Sequence, residues 1–307
     1  MSLIAALKGK GPSGFGYGTT AEEVTAGLDL SGKTFLLTGC NSGIGLETLR
    51  VLSVRGGHVI ATARTREKAE AAIASVGATA TALACELSDP ASVRACVAEV
   101  TRLARAVDVM ICNAGIMALP TLQRKFGLEL QFLTNHIGHF ALVTGLIEVL
   151  ADDGRVVVVS SDAHKAAPAG GIQFDNLGGE RSERGYSSWR SYGQSKLANL
   201  LFARELAKRL AGTGRTANAL HPGGIRTNLA RSMNAVARGA IALAEPLFLK
   251  SIPQGAATSC YLACRPEIAS ISGRYFADCN EAEPSRYGRD DVLAERLWHV
   301  SEEIIRR

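Results

Sequence analysis

From Thr34 onward, short and nearly continuous apolar runs alternate with longer stretches whose apolar residues recur at helical spacing. Strands are predicted at Thr34–Thr38, Val59–Ala63, Ala80–Ala84, Val107–Cys112, Arg155–Ser160, Thr216–Leu220 and Arg274–Ala277. Helices are predicted at Gly43–Val54, Pro90–Leu103, Lys125–Leu150 and Tyr192–Leu210. Strands that are apolar throughout, rather than alternately, belong to a sheet covered on both faces. Strand alternating with helix predicts an α/β fold, a doubly wound parallel sheet of about seven strands with helices on both faces. Residues 1–30 read as a leader: a glycine-rich loop from Gly9 to Gly18, then a capping box, Thr20-Ala21-Glu22-Glu23, opening a short helix. No repeat or linker divides 31–307, which predicts a single domain.

Candidate chemistry sits where the predicted strands end. The first runs into Thr38-Gly39-Cys40-Asn41-Ser42-Gly43-Ile44-Gly45, and a helix starts there. Glycines let the backbone approach a pyrophosphate, and the helix N-terminus offers unpaired N–H groups and a positive dipole end. The second ends in Ala63-Arg64, where an Asp or Glu for a ribose 2′-hydroxyl is missing. A guanidinium there suits a 2′-phosphate, so NADP(H) is expected over NAD(H). Ser160-Ser161 closes the fifth strand, at the ligand-facing end of such a sheet. Tyr192 and Lys196 stand four apart on one helical face. A neighbouring ammonium favours phenolate, so the Tyr192 pKa is expected to fall, which suits proton exchange with a carbinol oxygen. Asn135 interrupts an apolar helix and needs a partner. His164 and His221 lack the Gly-x-Ser-x-Gly elbow of a serine hydrolase and read as structural.

In order and spacing, the glycine turn, Asn113-Ala114-Gly115, Asn135, Ser160-Ser161, Tyr192/Lys196 and His221-Pro222-Gly223 resemble the short-chain dehydrogenase/reductase family over nearly the whole chain. Asn135-His136-Ile137-Gly138-His139-Phe140, Ser160-Ser161-Asp162-Ala163-His164 and Gly273-Arg274-Tyr275-Phe276-Ala277-Asp278-Cys279 look like the retinol-dehydrogenase-like branch, which includes the catalytic half of the WW-domain oxidoreductase. The resemblance implies a Rossmann-type fold and direct hydride transfer between a nicotinamide and an alcohol or carbonyl carbon. It implies that Ser161 holds the reacting oxygen, Tyr192 moves the proton, Lys196 lowers the tyrosine pKa and binds the nicotinamide ribose, and Asn135 anchors a water relay. It also implies cofactor contacts from Gly39, Asn41, Ser42, Gly43, Ile44, Gly45, Arg64, Leu87, Asn113, Ala114 and Gly115. Glu86 stands where the family commonly has Asp against the adenine. Pro222, Gly223, Ile225 and Thr227 would hold the carboxamide.

Composition narrows the picture further. At 307 residues with 47% hydrophobic content the chain can bury a large core. The net charge of +5 comes from scattered Lys and Arg, which argues against a nucleic-acid partner. Seven cysteines, several inside apolar runs, read as reduced thiols of a cytoplasmic protein. Cys260 and Cys264 lack further ligands at zinc spacing, so no metal is expected. No run reaches the length of a spanning helix, so no transmembrane anchor is expected. The segment 228–255, which holds Leu229, Ile241, Leu243, Leu247, Phe248 and Leu249, is expected to cover the site and to select a small apolar alcohol or carbonyl substrate. A homodimer is compatible with all of this. Two rival functions are weighed: a catalytically silent nucleotide sensor of the same fold, and a sugar-nucleotide epimerase, for which the stretch after His221 is too short.

Overall fold

Each predicted strand forms, because each is apolar enough to be buried on both faces. They are β1 (Thr34–Thr38), β2 (His58–Ala63), β3 (Ala80–Ala84), β4 (Val107–Cys112), β7 (Leu150–Val159), β8 (Thr216–His221) and β9 (Tyr275–Ala277). A computed structural model describes residues 8–103, 105–182, 185–225 and 249–307. The sheet runs β3-β2-β1-β4-β7-β8-β9-β10, with β10 being Asn280–Glu281. All neighbours pair in parallel except β10, which returns antiparallel to β9. The eighth strand, beyond the expected seven, is two polar residues without an apolar run to announce it.

The helices are α1 (Gly43–Val54), α2 (Arg66–Val76), α3 (Pro90–Arg102), α4 (described below), α5 (Ser188–Arg209), α6 (Ile252–Cys264) and α7 (Asp291–Arg306). Successive residues of β1 serve opposite cores. Phe35 and Leu37 pack with Leu49 and Leu52 of α1 and Cys260 of α6; Leu36 packs with Val93 of α3, Phe140 of α4 and Phe202 of α5. β2 and β3 lie to one side of β1, and β4, β7 and β8 to the other, so the crevice opens where β1 and β4 end.

The single helix expected over Lys125–Leu150 is corrected. Arg124–Lys125 and Leu128–Glu129 form a small hairpin, β5 and β6, around Phe126 and Gly127, whose φ values are 52° and 74°. Then α4 runs in three pieces: helical Leu130–Phe132, π-helical Leu133–Ile137 and helical Gly138–Gly145. Leu150 already belongs to β7, and the register slips between Val107/Leu150 and Val109/Arg155. Asp152, Asp153 and Gly154, which lie where the register slips, interrupt the apolar run that would have revealed the strand's true start.

The capping box forms as expected: the Thr20 hydroxyl accepts from the Glu23 N–H at 3.2 Å, and the Glu23 carboxylate accepts from the Thr20 N–H at 2.7 Å. The described part of the leader lies on the body, with Phe15 edge-on to Tyr261 of α6 and Tyr17, Ala21 and Val24 buried. Among the described residues no helix is long and apolar enough to cross a membrane.

Candidate active site

Gly39 and Gly43 take φ values of 70° and 55°, which turn β1 sharply into α1. Gly45 is required for another reason: a Cβ there would lie 2.0 Å from the Gly39 carbonyl oxygen. Asn41 and Ser42 are exposed, and the Ser42 side chain makes no bond at the α1 N-cap. Among the described residues the first-turn N–H groups of α1 therefore have no side-chain cap, while Ile44 sits half-buried beside them. This is a backbone cradle suited to an anion.

The turn is braced from β4. The Asn113 side chain donates to the Thr38 carbonyl at 2.8 Å, and the Asn113 and Ala114 N–H groups both donate to the Thr38 hydroxyl. That hydroxyl also meets His139 Nε2 at 2.8 Å, while His139 Nδ1 lies 2.9 Å from the Asn135 carbonyl oxygen. Burial holds the His139 pKa at about 4, so the ring is neutral near pH 7. Its Nδ1–H donates to Asn135 and its Nε2 accepts from Thr38. Sequence reasoning missed both Thr38 and His139; the only signal is that His139 follows Asn135 by one helical turn.

Arg64 is exposed at the end of β2, and among the described residues it makes no ion pair. The Glu86 carboxylate turns back to accept from the N–H and hydroxyl of Ser88. Leu87 is buried and its carbonyl lies against Gly138, where a Cβ would come within 2.3 Å of the oxygen.

Asn135 lies in the π-helical part of α4, fully buried. Its amide accepts from the Ile116 N–H at 2.8 Å and donates to the Ile116 carbonyl and the Ser195 hydroxyl, each at 2.9 Å. None of these bonds runs to Lys196. Gly115 fits between the two: a Cβ on it would lie 3.1 Å from Asn135 Oδ1 and 3.4 Å from Lys196 Nζ.

The two serines at the end of β7 separate cleanly. Ser160 is buried and donates to the Lys196 carbonyl at 2.7 Å. Ser161 is half-buried, its hydroxyl accepts from the Ala163 N–H at 3.2 Å, and it lies near enough to Tyr192 to act on the phenol. Its carbonyl accepts from His164 Nδ1 at 2.7 Å, and His164 Nε2 accepts from the Ser285 N–H, so the histidine pins the turn carrying Ser161.

The expected fall in the Tyr192 pKa is corrected. Burial raises it above the ordinary phenol range, and only the neighbouring Ser161 hydroxyl pulls the other way. The Lys196 ammonium lies 5.8 Å from the ring centroid and donates instead to the Val159 carbonyl, which Asn199 also holds. Burial draws the lysine's own pKa down to about 8. At neutral pH the phenol therefore keeps its proton beside Ser161, ready to be given up.

On the far side of β8, Gly223 (φ 92°) donates to His221 Nδ1, and Pro222 lies between them. Ile225 is buried against Gly255, next to Ile44. Thr227 and residues 228–248 of the expected covering segment lie outside the described residues.

The chain is similar to known proteins over nearly its whole length. A family model described as short chain dehydrogenase matches residues 33–174. Short-chain dehydrogenase TIC 32 A, chloroplastic, from Brassica napus is 39% identical, covering 99% of each chain. Retinol dehydrogenase 14 of Mus musculus is 40% identical, covering 90% of this chain and 86% of the relative. An uncharacterized protein from Mycobacterium Paratuberculosis has a solved structure that superposes with a TM-score of 0.76, at 34% identity over 94% of this chain and 98% of that one.

Proposed function

The chain belongs to the short-chain dehydrogenase family, in its retinol-dehydrogenase-like branch, and on that premise we propose that it is an NADP(H)-preferring oxidoreductase interconverting an apolar alcohol and its ketone or aldehyde. The observation that carries the reading is Ser161, at the end of β7, set beside the buried Tyr192 phenol, in a fold whose glycine cradle has, among the described residues, no side-chain cap on its helix N–H groups.

In this reading Gly39, Asn41, Ser42, Gly43, Ile44 and Gly45 hold the pyrophosphate. Arg64 holds the 2′-phosphate. Glu86, Leu87, Asn113, Ala114 and Gly115 line the adenosine side, and Pro222, Gly223, Ile225 and Thr227 the carboxamide side. The nicotinamide, when bound, supplies or takes up the hydride. Ser161 orients the reacting oxygen. Tyr192 gives that oxygen a proton on reduction and takes it back on oxidation. Lys196, enclosed beside Gly115, puts a positive charge where the proton is exchanged and offers donors to the cofactor ribose. Asn135 fixes Gly115 and Ile116 at the wall beside Lys196. A cytoplasmic home is part of the reading, since all seven cysteines are free thiols and six are buried.

Arg64→Ala should weaken NADPH binding by about tenfold or more while changing NADH little, because only the 2′-phosphate loses a partner. Titration of both cofactors checks this. Equal affinities for the two in the native protein would remove the NADP preference.

The apolar substrate is supported by two large exposed side chains on segments that Gln131 joins, one of them beside Tyr192. Trp189, 52% exposed, is edge-on to the Tyr192 ring at 6.1 Å between centroids, and Met117 is 37% exposed. Gln131 ties their segments together, accepting from the Ala118 N–H and donating to the Ser188 carbonyl and the Tyr186 hydroxyl. With secondary alcohols of rising chain length, kcat/KM should climb by up to about 1 kcal/mol per added methylene. A flat or falling series would exclude an apolar pocket.

A further inference from the structure

Two lysines are buried among the described residues: Lys196, and Lys250, whose side chain is 0% exposed. Lys250 has no part in the proton exchange described above. Its contacts join three segments that are distant in sequence.

Its main chain stands just before α6 and beside the residues that follow β8. The Lys250 N–H donates to the Gly224 carbonyl at 2.8 Å, and Lys250 pairs with Ile225 as a parallel bridge. Its stem lies along Gly223, where a Cβ would come within 2.8 Å of Cδ and 3.0 Å of Cε. Its ammonium meets Asp278 Oδ1 at 2.6 Å and stands 4.9 Å from the centroid of the Tyr17 ring. The leader adds a second tie to the same carboxylate, with Lys8 3.6 Å from Asp278.

Asp278 is held in an uncommon conformation. Asp278 and Cys279 form the two-residue turn between β9 and β10, with φ values of 53° and 63°. Such a turn favours Asn-Gly or Asp-Gly, so Cys279 stands there at a cost. The Cys279 N–H is anchored on the Thr258 hydroxyl of α6 at 3.1 Å, and the Asn280 side chain closes on the Asp278 carbonyl. The turn thus brings its carboxylate to Lys250. An apolar side chain of similar length would fill this space without burying a charge, so the ion pair is better explained by what it aligns than by packing.

What it aligns is the backbone of Pro222–Ile225. We propose that Lys250 is a positioning residue for the nicotinamide end of the cofactor, acting through Asp278 and through Tyr17 of the leader. The inference rests on the reading that Pro222, Gly223 and Ile225 hold the carboxamide. It makes the leader a working part of the cofactor site: Tyr17 covers the ammonium, and Ile225, bridged to Lys250, packs beside Ile44 of the pyrophosphate turn.

The test uses K250M, which keeps the stem against Gly223 and removes the charge, together with D278N and Y17L. Each is titrated with NADPH and with 2′,5′-ADP, a fragment that carries the adenosine end and lacks the nicotinamide. K250M should bind NADPH about tenfold more weakly and 2′,5′-ADP as the native protein does. The KM for NADPH should rise in step, with kcat at saturating NADPH nearly unchanged. D278N should follow K250M, and Y17L should show the same pattern to a smaller extent. Native NADPH affinity in K250M, with only a lower Tm, would reduce Lys250 to packing and overturn the proposal. So would equal losses for NADPH and the fragment, which would indicate general damage to the fold. If K250M does not fold, the same comparison on Y17L decides, since that change lies outside the sheet. A native protein that binds neither NADPH nor NADH would instead refute the function the proposal rests on.

Discussion

Tyr192→Phe should remove most turnover while leaving cofactor affinity nearly native. Phe keeps the buried ring and its edge contact with Trp189, and loses only the hydroxyl beside Ser161. Because burial holds the phenol above its ordinary pKa, the group is protonated at rest and donates only when a developing alkoxide draws the proton away. A positioned acid of this kind contributes roughly 10²–10⁴-fold. Steady-state kcat and a cofactor titration on the same preparation check both halves. Near-native turnover would assign the proton to another group.

Lys196→Met should abolish most activity and yet stabilise the cofactor-free protein at neutral pH. Burial lowers the lysine pKa from 10.5 to about 8, so the folded state resists the charged form. Below about pH 8 the lysine is charged in both folded and unfolded chains, and the full burial penalty is present. Between about 8 and 10.5 the unfolded chain binds more protons than the folded one, so stability rises with pH as the penalty fades. The displacement corresponds to about 3 kcal/mol at most. Met fills the space without the charge, so its advantage in denaturant midpoint should be largest at pH 7 and shrink toward pH 10. A variant that is less stable at pH 7, with no such trend, would show that the charge is well compensated in the native fold. A destabilising burial retained beside Gly115 and Val159 is what a site kept for chemistry would show.

The strands were legible because residues buried on both faces read as unbroken apolar runs, and Leu36 between Phe35 and Leu37 shows why no polar alternation interrupts them. The glycine turn was legible for a similar reason. Positive φ at Gly39 and Gly43, and no room for a Cβ at Gly45, leave few other residues able to stand there. Less was legible where geometry depends on distant partners. Nothing near Lys125 announces a hairpin at Phe126–Gly127, and the polar Asn135 inside an apolar helix announces a residue in need of a partner without revealing that the turn around it is π-helical. The sign of the Tyr192 shift was misjudged because a spacing of four residues places Lys196 on the right face, while depth of burial and the pull of the Val159 carbonyl arise only in the fold. Ser160 and Ser161 are adjacent and chemically identical; what separates them is that one hydroxyl is used on the Lys196 carbonyl. Lys250, between Asp278 and Tyr17, carries no local signature at all.

The most direct test of the central claim is turnover itself. The purified chain is given NADPH with a panel of apolar ketones and aldehydes, and NADP with the matching alcohols, with absorbance of the reduced cofactor as the readout. The account predicts that reduced cofactor is consumed with carbonyls and formed with alcohols, both reactions depending on the Tyr192 hydroxyl. Tight NADPH binding with no turnover on any member of the panel would contradict it and favour a nucleotide sensor of the same fold.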